Sequence, residues 1–119
     1  MPLMKRLSFL ASVAVLAGCA SSPPAGPPGK HLVYVDSSGA ATRQFDYPDT
    51  AFCQRVEAIA GRGARCQAAE APGLAAKATL RYNPPGVMVQ GHYQTMQRCQ
   101  ADTGALPPGV QLINPCTAK

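Results

Sequence analysis

The five cysteines carry the most distinctive chemistry in this chain of 119 residues, because a thiol can form a disulfide, ligate a metal or accept a lipid. Cys19 stands near the N-terminus, and the other four are Cys53, Cys66, Cys99 and Cys116. Twelve, 32 and 16 residues separate these four in turn, so the chain contains no CxxC pair. Zinc knuckles and thioredoxin-like redox sites use such pairs. We therefore expect structural cysteines, with no metal and no cofactor.

The segment before Cys19 has the form of an export signal. Lys5 and Arg6 precede an apolar run of ten residues, Leu7 to Leu16. As a helix this run spans about 15 Å, half of a bilayer core, so it is typical of a signal peptide and too short to cross a membrane. The tetrad Leu16-Ala17-Gly18-Cys19 resembles the lipobox of bacterial lipoproteins. That resemblance implies cleavage before Cys19, a diacylglyceryl group on its sulfur and usually an acyl chain such as palmitate on its amino group.

The residues after Cys19 indicate where the anchored protein lies. In the lipoprotein family an Asp at the next position favours the inner membrane, and this chain has Ala20 there. The resemblance therefore implies the bacterial cell envelope, at the outer membrane and facing the periplasm, with two or three acyl chains as the anchor. Residues 20–29 contain four prolines and no charge, which predicts an extended tether. We expect a signal peptide over 1–18, a lipidated tether over 19–29 and one domain over 30–119.

Four cysteines in a small exported domain predict two disulfides, for which three pairings exist. The predicted order of helices and strands favours the pairs Cys53–Cys66 and Cys99–Cys116, because each pair joins a helix to the strand that follows it. By closing loops of roughly 14 and 18 residues, each disulfide stabilises the fold by about 3 kcal/mol. A domain of this size with only 6% aromatic residues benefits from such support.

Hydrophobic periodicity and turn residues predict the same order of elements in both halves of the chain. In the first half they predict strands over Leu32–Val35, Thr42–Tyr47 and Ala64–Ala68, with a helix that opens at Pro48-Asp49 and ends at Gly61. In the second half they predict strands over Ala78–Tyr82, Val87–Val89 and Val110–Ile113, with a helix from His92 to Thr103. In each half a Tyr, Tyr47 or Tyr93, precedes the helical Cys by six positions.

These patterns predict a small α+β fold in which two helices lie on one face of a largely antiparallel sheet. The repeated order indicates a duplicated ββαβ unit, although it rests on spacing more than on shared residue types. Without the first strand the order becomes βαββαβ, so a ferredoxin-like fold is the alternative.

Few side chains offer catalytic chemistry. His31 lies at the edge of the tether, and His92 lies at the predicted helix start, seven residues before Cys99. A Cys/His metal pair explains this spacing less well than a disulfide does. The serines lie in the tether or in a turn, the carboxylates are scattered, and the chain has no glycine-rich phosphate loop. We expect a protein that is not an enzyme.

The main functional hypothesis is based on the net charge and on the aromatic residues. Residues 19–119 carry nine Lys or Arg and six Asp or Glu, a formal net charge of +3. We expect a membrane-anchored protein-interaction module of unknown specific role, with Tyr82, Tyr93 and Met88 as exposed contacts near the Asn-Pro-Pro-Gly turn. Nothing in the sequence indicates nucleic acid as a partner.

Two alternatives use other surfaces. The first is a binder of an anionic envelope polymer, peptidoglycan or lipopolysaccharide, whose affinity falls steeply with salt. The residues that would contact the polymer are Arg62, Arg65, Arg81 and Arg98. The second alternative is an inhibitor of a hydrolase, which the sequence supports only by the likeness of a small disulfide-bonded lipoprotein to the lysozyme inhibitors.

Overall fold

The computed structural model describes residues 27–119, which form a small α+β domain. Its elements in chain order are β1 (His31–Val35), β2 (Ala41–Asp46), α1 (Thr50–Ala60), β3 (Ala64–Gln67), β4 (Ala76–Tyr82), β5 (Val87–Tyr93), α2 (Met96–Thr103) and β6 (Val110–Ala118). The predicted signal peptide, Cys19 and most of the tether lie outside the described residues. Within residues 27–119 no helix is both long and apolar enough to cross a membrane.

All six strands belong to one open antiparallel sheet, in the order β3-β1-β2-β5-β4-β6. β2 and β5 meet at its centre, where Phe45 lies opposite Gly91. At one edge β3 has only four residues. At the other edge β6 contains Pro115 and pairs irregularly with β4. Short strands, proline and register irregularities all limit edge-to-edge pairing with another chain.

Each helix begins at a capping residue. The Asp49 carboxylate accepts a hydrogen bond from the Phe52 amide at 2.7 Å, which fixes the start of α1. The Thr95 hydroxyl accepts one from the Arg98 amide at 3.0 Å, which fixes the start of α2. Short oxygen-bearing side chains are preferred at this position because they satisfy amides that have no partner within the helix.

The predicted start of the second helix at His92 is wrong, because β5 continues through Tyr93. In the ladder with β2, His92 lies opposite Gln44 and Tyr93 lies opposite Arg43. Pairing with a strand from the other half of the chain therefore decides the conformation of these two residues. Such tertiary pairing overrides local preference and is invisible in the local sequence pattern.

Both predicted disulfides are present. Cys53 bonds to Cys66 and Cys99 bonds to Cys116, with the Cα atoms 6.0 Å apart in each pair. They join α1 to β3 and α2 to β6. Cys53 is the one buried residue of α1, and Cys99 is the one buried residue of α2. Each helix is thus held to the sheet by its disulfide and by a border of half-buried side chains.

Both helices lie on one face of the sheet, which we call the helix face. The row of residues that crosses the middle of this face consists of Cys66, Leu32, Phe45, Gly91 and Ala78. The apolar members of the row and the two helical cysteines belong to one core cluster. Removal of this apolar surface from water is the main favourable contribution to folding.

The connection between β3 and β4 crosses the opposite face, which we call the open face. The Ala71 amide donates a hydrogen bond to the side-chain oxygen of Gln44 at 2.7 Å, and Leu74 is buried. The Ala75 amide donates to the Tyr93 carbonyl at 2.9 Å. These contacts hold the connection against the middle of the sheet as it leads from the first half of the chain to the second.

Candidate functional site

A groove of about 310 Å³ lies on the helix face between α1 and α2. All four tyrosines of the chain line it, and we call it the tyrosine groove. They are Tyr34, Tyr47, Tyr82 and Tyr93. Tyrosine is enriched at binding surfaces because its ring offers apolar contact area and its hydroxyl offers a hydrogen bond. The convergence of every tyrosine on one groove makes it the first candidate for a binding site.

The walls of the groove come from the helices and from the chain after α2. On the α1 side the wall includes Val56. On the α2 side it consists of Ala101, Asp102, Ala105, Leu106 and Pro107. Residues 104–109 connect α2 to β6 and belong to neither element. One wall is therefore partly a helix and partly an irregular connection.

The aromatic rings of the groove already contact one another. The Tyr34 ring meets Phe45 edge to face, and Phe45 meets Tyr93 in the same way, with centroids 5.9 and 6.0 Å apart. Tyr47 stacks against Phe52 of α1 with centroids 5.2 Å apart. Edge-to-face and offset stacked rings stabilise a packed cluster beyond their burial. The floor of the groove is consequently a fixed aromatic layer.

The hydroxyl groups of the groove differ in their partners. Those of Tyr47 and Tyr82 lie 3.1 Å apart and share a hydrogen bond. The Tyr93 hydroxyl is buried and has no partner within the described part of the chain. Burial, and then the negative charge of Asp102, raise the pKa of Tyr93 to about 12. The hydroxyl therefore keeps its proton and remains a buried donor without an acceptor.

Gly91 explains how Tyr93 reaches the centre of the floor. A Cβ atom at Gly91 would lie 2.9 Å from the Tyr93 hydroxyl oxygen and 3.1 Å from its Cε2 atom. The ring thus lies across the glycine, in the space that any other side chain would fill. A strand glycine often marks such a close approach.

One charged pair lies at the side of the groove. The Arg43 guanidinium lies over the Tyr34 ring, 4.3 Å from the centroid, and its Nη1 lies 3.4 Å from the Asp102 carboxylate. Burial raises the pKa of Tyr34, and the nearby Arg43 charge opposes that shift. Asp102 largely neutralises Arg43, so the groove presents N–H and O–H donors without a strong net charge.

A second polar cluster lies on the open face around Asp46. Its carboxylate accepts hydrogen bonds from His31 Nδ1 at 2.6 Å, from the Gln44 side-chain amide at 2.7 Å and from His92 Nε2 at 2.8 Å. Burial raises the pKa of Asp46, but the bonds from His92, His31 and Gln44 together outweigh it and lower that pKa to about 2. The carboxylate therefore stays ionised.

The cluster around Asp46 has a structural role. Gln44 is completely buried and also accepts the hydrogen bond from the Ala71 amide, so the cluster fastens the β3–β4 connection to the sheet. Within residues 27–119 no group of three or more His, Cys, Asp or Glu side chains is arranged to hold a metal ion. His92 lies in β5, and Cys99 is in a disulfide, so the considered Cys/His pair does not form.

The structure separates the aromatic contact candidates. Tyr82 is half-buried in the groove, and Tyr93 is completely buried at its floor. The expectation that Tyr93 is exposed is wrong, because its strand position faces the core. Met88 is 53% exposed and alternates with Val89, so it lies on the open face and not in the groove.

The four candidate arginines do not form one patch. Arg62 follows α1, Arg65 lies in β3, Arg81 in β4 and Arg98 in α2. β3 and β4 are four positions apart in the sheet, which is about 19 Å at the usual spacing of strands. Four further groove residues were not among the predicted contacts, namely Tyr34, Tyr47, Arg43 and Asp102. The sequence signal that could have indicated them is the alternation of Tyr, Phe and Arg with other residues along β1 and β2, which places these side chains on one face of the sheet.

The chain matches no protein-family profile, and no curated protein or solved structure is significantly similar to it. The functional conclusion therefore depends on the geometry of the site and on the N-terminal segment.

Proposed function

We propose that this chain is a lipid-anchored protein of the bacterial envelope whose domain is a non-catalytic protein-interaction module. The contact surface is the tyrosine groove. The observation that carries the proposal is the convergence of all four tyrosines, with Arg43, on one groove. Tyrosine and arginine are the residue types that most often dominate binding energy when they are partly buried in a pocket.

The proposed location is the periplasmic side of the outer membrane, with Cys19 as the lipid attachment point. The N-terminal resemblance to bacterial lipoproteins supports this location, and the two disulfides support an oxidising compartment. The first described residues support a tether that enters the domain at the start of β1. The Pro27 carbonyl accepts a hydrogen bond from the Ala68 amide at 3.0 Å, so the tether is fixed beside β3.

We further propose that the domain is a duplicated ββαβ unit with the groove at the junction of its two copies. Three pairs of equivalent residues lie 46 positions apart: Tyr47 and Tyr93, the caps Asp49 and Thr95, and the cysteines Cys53 and Cys99. The sheet order supports this duplication. From the edge to the centre, the first half places its strands in the order β3, β1, β2, and the second half places the equivalent strands in the order β6, β4, β5. The ferredoxin-like alternative has less support because it omits β1, which pairs with both β2 and β3.

The proposed function is tested by photo-crosslinking in intact cells, with the full lipidated protein. A photo-reactive amino acid replaces either Leu106, in the groove wall, or Ile59, which is 86% exposed on α1 and outside the groove. We expect a discrete adduct with one envelope protein from position 106 and none from position 59.

Two matched variants make the crosslinking specific. Ala101 and Ala58 are both exposed helical alanines, but only Ala101 lines the groove. Ala101→Trp should fill the groove and abolish the adduct, whereas Ala58→Trp should leave it unchanged. Identical adducts from both photo-reactive positions, or an adduct that survives Ala101→Trp, would disprove the groove as the contact surface.

A further inference from the structure

We propose that the tyrosine groove binds a proline-rich segment of its partner protein in the polyproline II conformation. This inference rests on the proposed function and specifies the chemistry of the ligand. The groove has the size of a small ligand site, at about 310 Å³, so it holds a short segment and not a folded surface. Aromatic-lined grooves are the usual sites for proline-rich segments, which lose little entropy on binding because they are already extended.

Two polar groups of the groove can donate hydrogen bonds to a ligand that offers acceptors. The Tyr93 hydroxyl is a donor without a partner, and the Arg43 guanidinium has N–H groups beyond its contact with Asp102. Proline lacks a backbone N–H, so a proline-rich segment presents carbonyl oxygens and few donors of its own. A ligand carbonyl that reaches Tyr93 would satisfy a buried group that is otherwise unpaired.

The position of the groove disfavours recognition by strand addition. Most of its strand residues belong to β1, β2, β4 and β5, each of which is hydrogen-bonded to a neighbouring strand on both sides, and the edge strand β6 contributes only Val110. Little free backbone edge is therefore available within the groove, and an extended peptide would be bound mainly through side chains. Polyproline II segments are bound in this way, since their backbone forms no ladder.

Two of the tyrosine rings already have one face covered. The guanidinium of Arg43 covers one face of Tyr34, and Phe52 stacks on Tyr47. A proline ring packs on the remaining aromatic surface and against small apolar side chains. Ala101 and Ala105 supply such small side chains along the wall.

Entry of the ligand requires the groove to widen, because the Tyr93 hydroxyl oxygen has almost no accessible surface. The irregular connection at Leu106 and Pro107 forms the side that is not held in a helix or strand. Outward movement of this connection would widen the groove that Tyr93 lines.

The test uses isotope-labelled, lipidated mature protein in detergent micelles, titrated with two uncharged synthetic peptides and followed by NMR. One peptide repeats the unit Pro-Pro-Ala, and in the other glycine replaces each proline. We expect the proline peptide to shift the amides of residues 104–109 and of the groove strands, and the glycine peptide to leave them in place. Ala101→Trp should abolish the shifts and Ala58→Trp should preserve them.

Tyr93→Phe gives the sharpest readout, because it should weaken binding of the proline peptide without lowering the stability of the free protein. Loss of the hydroxyl should weaken the proline peptide about five- to tenfold, as expected for one lost hydrogen bond. The midpoint of urea unfolding should stay the same or rise, because the free protein loses only an unpaired buried group. An affinity equal to that of the wild-type protein would overturn the role of Tyr93.

The remaining outcomes separate this inference from the proposed function. If the groove-dependent crosslink forms but the proline peptide does not bind, the ligand class is wrong and the interaction module stands. If neither occurs, both proposals fail. Shifts induced by a chitin oligosaccharide instead of the peptide would replace the proline-rich ligand with a glycan. Groove amides that change when Pro23 and Pro24 are replaced by alanine would identify the chain's own tether as the occupant and overturn a partner segment.

Discussion

Asp46 shows how one carboxylate can organise a face of the sheet. It accepts hydrogen bonds from side chains of three strands, namely His31 in β1, Gln44 in β2 and His92 in β5. Its folded-state pKa of about 2 lies below the value of 3.8 for a free Asp side chain. The ionised carboxylate therefore stabilises the fold at pH values above about 4, and this contribution is lost as the pH falls through about 2.

Asp46→Asn should lower the free energy of unfolding by about 2 kcal/mol near neutral pH, since the shift in pKa corresponds to that magnitude. Urea unfolding of both proteins over a range of pH measures the effect. The difference should shrink as the pH approaches 2. Glu70→Gln, at an exposed position in the connection between β3 and β4, removes the same charge and should change stability much less. If the loss of stability in Asp46→Asn does not change with pH, the ionised form of the Asp46 carboxylate is not what stabilises the fold.

Gly91 should tolerate no other residue without loss of stability. Gly91→Ala places a Cβ atom 2.9 Å from the Tyr93 hydroxyl oxygen, so the ring must move within a packed aromatic layer. Overpacking of this kind costs about 1–3 kcal/mol, which thermal or urea unfolding can measure. The double variant with Tyr93→Phe lacks the closest atom and should recover part of the loss. If the losses of unfolding free energy from the two single variants simply add in the double variant, the two positions do not interact.

At the scale of elements, a disulfide attaches each helix to the sheet. Replacing Cys53 and Cys66 together with alanine should lower the free energy of unfolding by about 3 kcal/mol, because the closed loop is lost from the unfolded chain. Hydrogen exchange should show loss of protection in α1, whose one buried residue is Cys53, and little change in α2. Replacement of Cys99 and Cys116 is the matched control and should affect α2 instead. Equal loss in both helices from either variant would mean that they unfold as one unit.

The elements themselves were largely predictable because their signals are local. Alternating apolar residues, the Asp49 cap and the glycine that ends α1 each act within a few positions, and the cysteine spacing then limited the pairing. The end of β5 was not predictable, since His92 and Tyr93 are held by a strand more than 40 residues away. The groove was not predictable for the same reason, since its residues come together only through contacts between distant parts of the chain. Tyr82 was selected from its turn, whereas Arg43 and Asp102 meet only when both halves pack together.

At the scale of the whole molecule, the strand order could not be derived from the sequence. Nothing in the local pattern indicates that β2 pairs with β5, and this single contact joins the two halves of the sheet. The groove lies directly above that junction, so the candidate site depends on the least predictable part of the fold. The Asp46 cluster spans the same junction from the open face through its bond to His92.

Gly29 allows the chain before β1 to lie directly against the backbone of Ala68. A Cβ atom there would lie 2.3 Å from the Ala68 Cα atom, which is backbone and cannot rotate away. Gly29→Ala should therefore separate residues 27–29 from β3 and expose the Ala68 amide, which now donates to Pro27. Faster hydrogen exchange at Ala68, with protection of β4 and β5 retained, is the expected result. Pro28→Ala, at an exposed position, is the control and should leave Ala68 protected.

The position of β1 as the first strand of the described chain has a mechanical consequence. β1 is hydrogen-bonded to β3 on one side and to β2 on the other. Antiparallel hydrogen bonds run perpendicular to the strands, so tension along the tether loads both ladders in shear, with all bonds sharing the force. A strand at the sheet edge, pulled outward, would instead open one bond at a time. With the lipid anchor and the groove partner proposed above, the domain would thus transmit a pulling force without unravelling from the point where the chain enters it.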